Sequence, residues 1–169
     1  NMCEKLQVVT FSQSLIEIED YAFSNAVELS NVKLPNTLLH IGNGAFESTA
    51  LTAIELPESI VTVGRMAIPF AVREIHIPKN LREIELNAFG DSGDVYLSRR
   101  FDRITVDPEN PYYRMEQGCL VDVKNAFVYY SENATGIPEG MKIIYCCAFV
   151  GNTTLPSDLV IPEGVLEIG

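Results

Sequence analysis

Apolar residues recur along this chain at an almost constant interval, and that interval decides what it can fold into. Leu29, Val32, Leu34, Pro35, Leu38, Ile41 and Ala45-Phe46 form one string. Leu51, Ile54, Leu56, Pro57, Ile60, Val63 and Ala67-Ile68 repeat it, as do Val72, Ile75, Ile77, Pro78, Leu81, Ile84 and Ala88-Phe89. Upstream, Leu6, Val9, Phe11, Ser12, Leu15, Ile18 and Ala22-Phe23 fit with Ser in place of Pro. The starts at 6, 29, 51 and 72 are separated by 23, 22 and 21 residues, a period that belongs to solenoids.

Each position of the string has a mechanical reading. Val32-x-Leu34 is strand alternation, with two side chains facing inward and Lys33 outward. Pro35 lacks an N–H and fixes φ, so it ends the strand and turns the chain. Leu38 to Ile41 is a second extended stretch. Gly42, Gly64 or polar residues in their place allow another turn, and Ala-Phe then brings a small and a large residue inward. That last turn is expected to be irregular or a short 3₁₀ piece, because no helical periodicity of useful length is present. A single coil buries too few side chains to offset the entropy of ordering its backbone, so coils must stack. The expected fold is a right-handed superhelix of stacked short β-strands, mostly β with little α-helix.

The string Leu-x-x-Ile-x-Leu-Pro-x-x-Leu-x-x-Ile-Gly-x-x-Ala-Phe resembles the BspA-like, or treponemal-type, leucine-rich repeats, and Leu29 to Phe46 follows it almost position for position. Such proteins often carry a variant module, which Ile104-Thr105-Val106-Asp107-Pro108-Glu109-Asn110-Pro111-Tyr112-Tyr113 and Gly118-Cys119-Leu120 resemble. The pattern returns at Ile137-Pro138, Met141, Ile144 and Ala148-Phe149, and again at Leu159, Ile161-Pro162, Val165 and Ile168-Gly169. Ile68 and Ser12 depart from it, and the interval from Phe149 to Ile161 is lengthened. The whole chain, 1–169, reads as one leucine-rich repeat solenoid: four regular repeats over 1–93, a variant coil with an inserted hairpin over 94–136, and regular repeats over 137–169. Ile168-Gly169 stops in mid-repeat, so the natural protein is expected to continue.

Within the variant segment, Leu97, Phe101 and Ile104 keep the coil spacing before Asp107-Pro108-Glu109-Asn110-Pro111 interrupts it with turn chemistry. Cys119 to Val123 and Ala126 to Tyr130 read as two strands joined at Lys124-Asn125. Tyr112, Tyr113, Tyr129 and Tyr130 cluster here, either as a contact patch or as cover for the joint between coils.

Signs of chemistry are sparse. No nucleophile elbow, zinc-protease helix, P-loop or dinucleotide fingerprint occurs. Glu17 with Glu19 and Glu83 with Glu85 could be read as paired carboxylates, but they fall at equivalent repeat positions, which favours a solvated face. Asp91-Ser92-Gly93-Asp94 lacks the further oxygen ligands of a calcium site. His40 and His76 lie on different faces of the coil. Cys3, Cys119, Cys146 and Cys147 lack metal-site spacing and are expected as buried, reduced thiols. Asn133-Ala134-Thr135 and Asn152-Thr153-Thr154 match the glycosylation triplet, an accidental match in a bacterial chain. No cofactor and no metal is expected.

Charge narrows the partners. With 12 Lys+Arg against 23 Asp+Glu the net charge is −11, which repels phosphate backbones and anionic headgroups, so nucleic acid is excluded as a partner. No apolar run is long enough for direct membrane insertion. The resemblance implies a bacterial cell-surface or secreted protein, non-enzymatic, that binds a macromolecular partner, a host or matrix protein. The alternative is a structural spacer that holds another domain away from the surface. The expected contact face is the outward column of the first strands: Thr10, Lys33, Glu55 and His76, flanked by Val8, Asn31, Ala53 and Glu74.

Overall fold

The computed structural model describes residues 3–85, 87–89, 101–131, 133–145, 148–149 and 152–169. No helix occurs among them. The regular coils supply the first strands β1 (Val8–Thr10), β3 (Asn31–Lys33) and β6 (Glu74–Ile77), and the second strands β2 (Glu17–Ile18), β4 (His40–Ile41), β5 (Thr62–Val63) and β7 (Glu83–Ile84). Beyond them come β8 (Arg103–Val106), β9 (Tyr113–Glu116), β10 (Cys119–Asp122), β11 (Phe127–Ser131), β12 (Ile143–Ile144) and β13 (Glu167–Ile168).

Every pairing between regular coils is parallel and in repeat register. Glu17, His40, Thr62 and Glu83 stand side by side through β2, β4, β5 and β7, with Ile18, Ile41, Val63 and Ile84 in the adjacent row. The first row is outward and the second is buried. On the other side, β1 pairs β3 and β6 pairs β8. The ladder expected between β3 and β6 does not form, because residues 52–56 adopt no strand. Ile54 and Leu56 are still buried, so packing alone fixes that segment. Its outward Ala53 has low strand preference and gives a poor cross-strand pair.

Turns repeat as faithfully as strands. The carbonyls of Ser12, Pro35, Pro57 and Pro78 accept from the N–H three residues on, at 3.0–3.2 Å, so the proline that follows each first extended segment opens a β-turn, and Ser12 does the same. At the far corner, Tyr21, Gly44, Met66 and Asn87 occupy one repeat position, all left-handed with φ of 57°, 58°, 51° and 61°. Their geometry lets the Tyr21, Gly44 and Met66 amides donate to Asn43, Arg65 and Asn87 carbonyls one coil on, at 2.7–2.8 Å. Inter-coil bonding there outweighs the cost of a left-handed side chain. No 3₁₀ helix forms among the described residues. Beside this corner the coils nearly touch: a Cβ on Gly64 would lie 2.7 Å from the Asn43 backbone nitrogen.

Leu34, Leu38, Ile41, Ala45 and Phe46 are buried as the pattern requires, and Phe46 stacks on Phe23 at 5.4 Å. Val32, expected inward, is half-buried and packs on the core edge.

The variant segment is more integrated than a lone inserted hairpin. β9 and β10 form an additional hairpin through Gln117-Gly118, both left-handed as a tight hairpin turn demands. β11 then pairs parallel with β12, and β12 with β13, so the insert rejoins the second-strand stack. β10 and β11 are linked by four residues, 123–126, and not by Lys124-Asn125 alone. Asn110 stitches the insert to the coil before it: its Nδ2 donates to the Pro78 and Leu81 carbonyls at 2.6 and 3.1 Å, while its Oδ1 accepts from Tyr112 and Tyr113 amides. This buried amide has partners on both its nitrogen and its oxygen.

Candidate functional site

Thr10, Lys33, Glu55 and His76 are all exposed, as are Val8, Asn31, Ala53 and Glu74. β1 sets Thr10 beside Lys33 and Val8 beside Asn31. The gap in the ladder at 52–56 divides this face, and Lys33 has no strand-paired neighbour on that side. From the gap segment to β8 an open groove gathers Ala53, Glu55, Glu74 and His76 with Arg103 and Thr105. Register explains the last two: Arg103 pairs with Glu74 and Thr105 with His76. The spacing of Phe101 and Ile104 carries enough information to place both residues in this column.

His76 is held in place. Its Nδ1 and the Thr105 hydroxyl are 2.8 Å apart. His40 and Thr62 make the same contact at 2.9 Å on the opposite strand ladder, so each imidazole is pinned by a threonine of the following coil. The two histidines lie on separate sheets. Glu17 and Glu83 stand at the two ends of their ladder, exposed, with His40 and Thr62 between them.

At the end of the groove, Glu58, His76 and Asp107 converge, a grouping with no sequence motif behind it. Lys79 lies beside them. Its hydrogen bond and ion pair with Glu109 hold its ammonium above the usual lysine range, with smaller contributions from Asp107 and Glu58. Glu109's own amide donates to Asp107 Oδ1 at 2.7 Å.

The remaining candidates separate. Tyr113 is buried under the joint and Tyr112 lies against the Arg82 guanidinium, so these two cover the junction. The side chains of Tyr129 and Tyr130, together with Cys146, Cys147, Leu97 and Asp91-Ser92-Gly93-Asp94, fall outside the described residues. Cys119 is a buried free thiol donating to the Gly136 carbonyl at 3.7 Å, and burial, then Glu116, pushes it up to about 12. Cys3, expected to be buried, is exposed on a segment that precedes the first inward position, Leu6. Asn152 folds its side chain back onto the Thr154 and Leu155 amides, an Asx turn.

A model of the BspA type leucine rich repeat region matches residues 1–98. The chain belongs to the BspA-type leucine-rich repeat family. No curated protein matches the repeat chain. Among solved structures it is similar to a leucine-rich repeat protein from Eubacterium ventriosum, with a TM-score of 0.68 and 18% identity over 99% of this chain and 50% of that one. It is also similar to one from Bacteroides ovatus, with a TM-score of 0.60 and 20% identity over 99% and 46%. This BspA-type chain therefore spans about half the length of each, and the likeness is one of fold.

Proposed function

We propose that this chain is a non-enzymatic protein-interaction module of a bacterial surface or secreted protein, and that it meets its partner on the first-strand face through Lys33, Glu55, Glu74 and His76. The observation that carries this reading is the open groove in which consecutive coils present Glu55, Glu74, His76 and Arg103 outward while the alternate residues Ile54, Ile75 and Ile104 supply the core. Side chains freed from packing on a backbone fixed by packing make a preorganised contact surface. The face carries both signs of charge, whereas the chain as a whole carries −11, so a basic protein is drawn toward it.

Surface plasmon resonance against purified basic and acidic matrix glycoproteins tests this. A basic glycoprotein should bind, and its association rate should fall as salt rises from about 0.05 to 0.5 M, since the Debye length shrinks several-fold over that range. Binding of the acidic set alone, or none at any salt, contradicts the reading.

A further inference from the structure

We propose that Glu58, His76 and Asp107 bind a divalent transition-metal ion of the zinc class. One ligand atom from each lies within 4.8 Å of the other two. Each comes from a different coil. Glu58 follows Pro57 in the opening turn of one coil, His76 sits on β6 of the next, and Asp107 follows β8 of the variant coil. The β6–β8 pairing fixes the spacing of the latter two, and the bond from the Asp107 amide to the Ile77 carbonyl at 2.9 Å extends that ladder to Asp107 itself. Asn80 ties Glu58 in, donating through Nδ2 to its carbonyl at 2.8 Å.

Two of the three side chains already have outer partners that orient them. His76 Nδ1 lies 2.8 Å from the Thr105 hydroxyl, and in the tautomer whose Nδ1–H donates to that hydroxyl, Nε2 keeps its lone pair and is available to an ion. Asp107 accepts the Glu109 amide through Oδ1, leaving Oδ2. Ligands about 2.0–2.2 Å from one zinc are roughly 3.4 Å apart in tetrahedral geometry, so only a small closure is needed. The exposed Glu58 has the freedom to make it. Calcium and magnesium take oxygen ligands, whereas an imidazole with carboxylates selects transition ions. Glu109 takes the main pairing of Lys79, whose ammonium is drawn only weakly by Asp107 and Glu58, so the charge of these two carboxylates is left largely for a divalent cation. Three protein ligands on an open surface leave a position for water or for a donor from another molecule.

This inference shares His76 with the partner-binding proposal, but it stands on Glu58 and Asp107, which lie outside the residues assigned there, so variants at those two positions test it separately. Isothermal titration of the whole chain with zinc chloride alone should give one ion per chain. Glu58→Gln and Asp107→Asn, which keep the side-chain shape, should each weaken binding by about tenfold or more, and Thr105→Val, which removes only the orienting hydroxyl, by about tenfold. Excess calcium should not compete. Cobalt in place of zinc should show nitrogen and oxygen coordination without thiolate charge transfer. Absence of zinc binding, affinity unchanged in the Gln and Asn variants, a thiolate band, or equal binding of calcium overturns the site.

Discussion

The Tyr113 hydroxyl accepts the backbone N–H of Ile84 at 2.9 Å and lies 3.4 Å from the Arg82 carbonyl, which it faces as donor. Ile84 is on β7, the last strand of its parallel ladder, so the hydroxyl stands where the strand of a further regular coil would otherwise pair. A buried side chain thus caps the regular repeats and hands the stack over to the insert.

That substitution of hydroxyl for strand has a measurable value. Tyr113→Phe keeps the ring and removes the bond, and should cost roughly 0.5–1.5 kcal/mol. Tyr113→Ala also empties the joint and should cost about 3–5 kcal/mol. Urea denaturation with an unchanged slope checks both, and equal costs for the two variants would contradict the capping role.

Phe46 is fully buried and stacked on Phe23, which in turn meets Phe11 edge-on at 5.7 Å. Phe46→Ala should destabilise by about 3–5 kcal/mol. A loss below about 1 kcal/mol in the same denaturation assay would contradict the inward register of the Ala-Phe pair.

The repeat register was legible in the sequence because burial leaves a periodic trace: Ile18, Ile41, Val63 and Ile84 are all apolar for one reason. The left-handed corner left no such trace. Tyr21, Gly44, Met66 and Asn87 share a left-handed conformation, tied in the first three to bonds to the next coil, and no common side-chain chemistry marks it. β9 was hidden because Asn110-Pro111 signals a turn, while the hairpin turn itself begins with Gln117, which has no special preference for a positive φ. The outward placement of the first-strand column was legible up to His76, but its extension to Arg103 and Thr105 needed the register to be carried into the variant coil. Glu58 and Asp107 meet His76 only through stacking, which no single segment encodes.

Cys119 gives a pH signature. Its thiol is raised from an ordinary 9.0 to about 12 by burial and by Glu116, so folding favours the neutral form. The contribution is present below 9 and is lost as pH rises from there toward about 12. Stability should fall across that window, and Cys119→Ala should flatten the fall. In native protein at pH 8, iodoacetamide should label Cys3 and leave Cys119 untouched until denaturant is added, as mass spectrometry of the peptides will show. Native labelling of Cys119 at the rate of Cys3 would contradict its burial.

The most direct test of the account is the combined variant Lys33→Ala, Glu55→Ala and His76→Ala, compared in the presence of a chelator with the unaltered chain for melting temperature and for affinity toward the glycoprotein that the salt series selects, so that no ion at His76 enters the comparison. All three side chains are exposed, so the melting temperature should move by less than a few degrees. The account predicts that affinity falls by tenfold or more, about 1.4 kcal/mol. Unchanged affinity in a variant that melts with the unaltered chain would show that the first-strand face is not the binding surface.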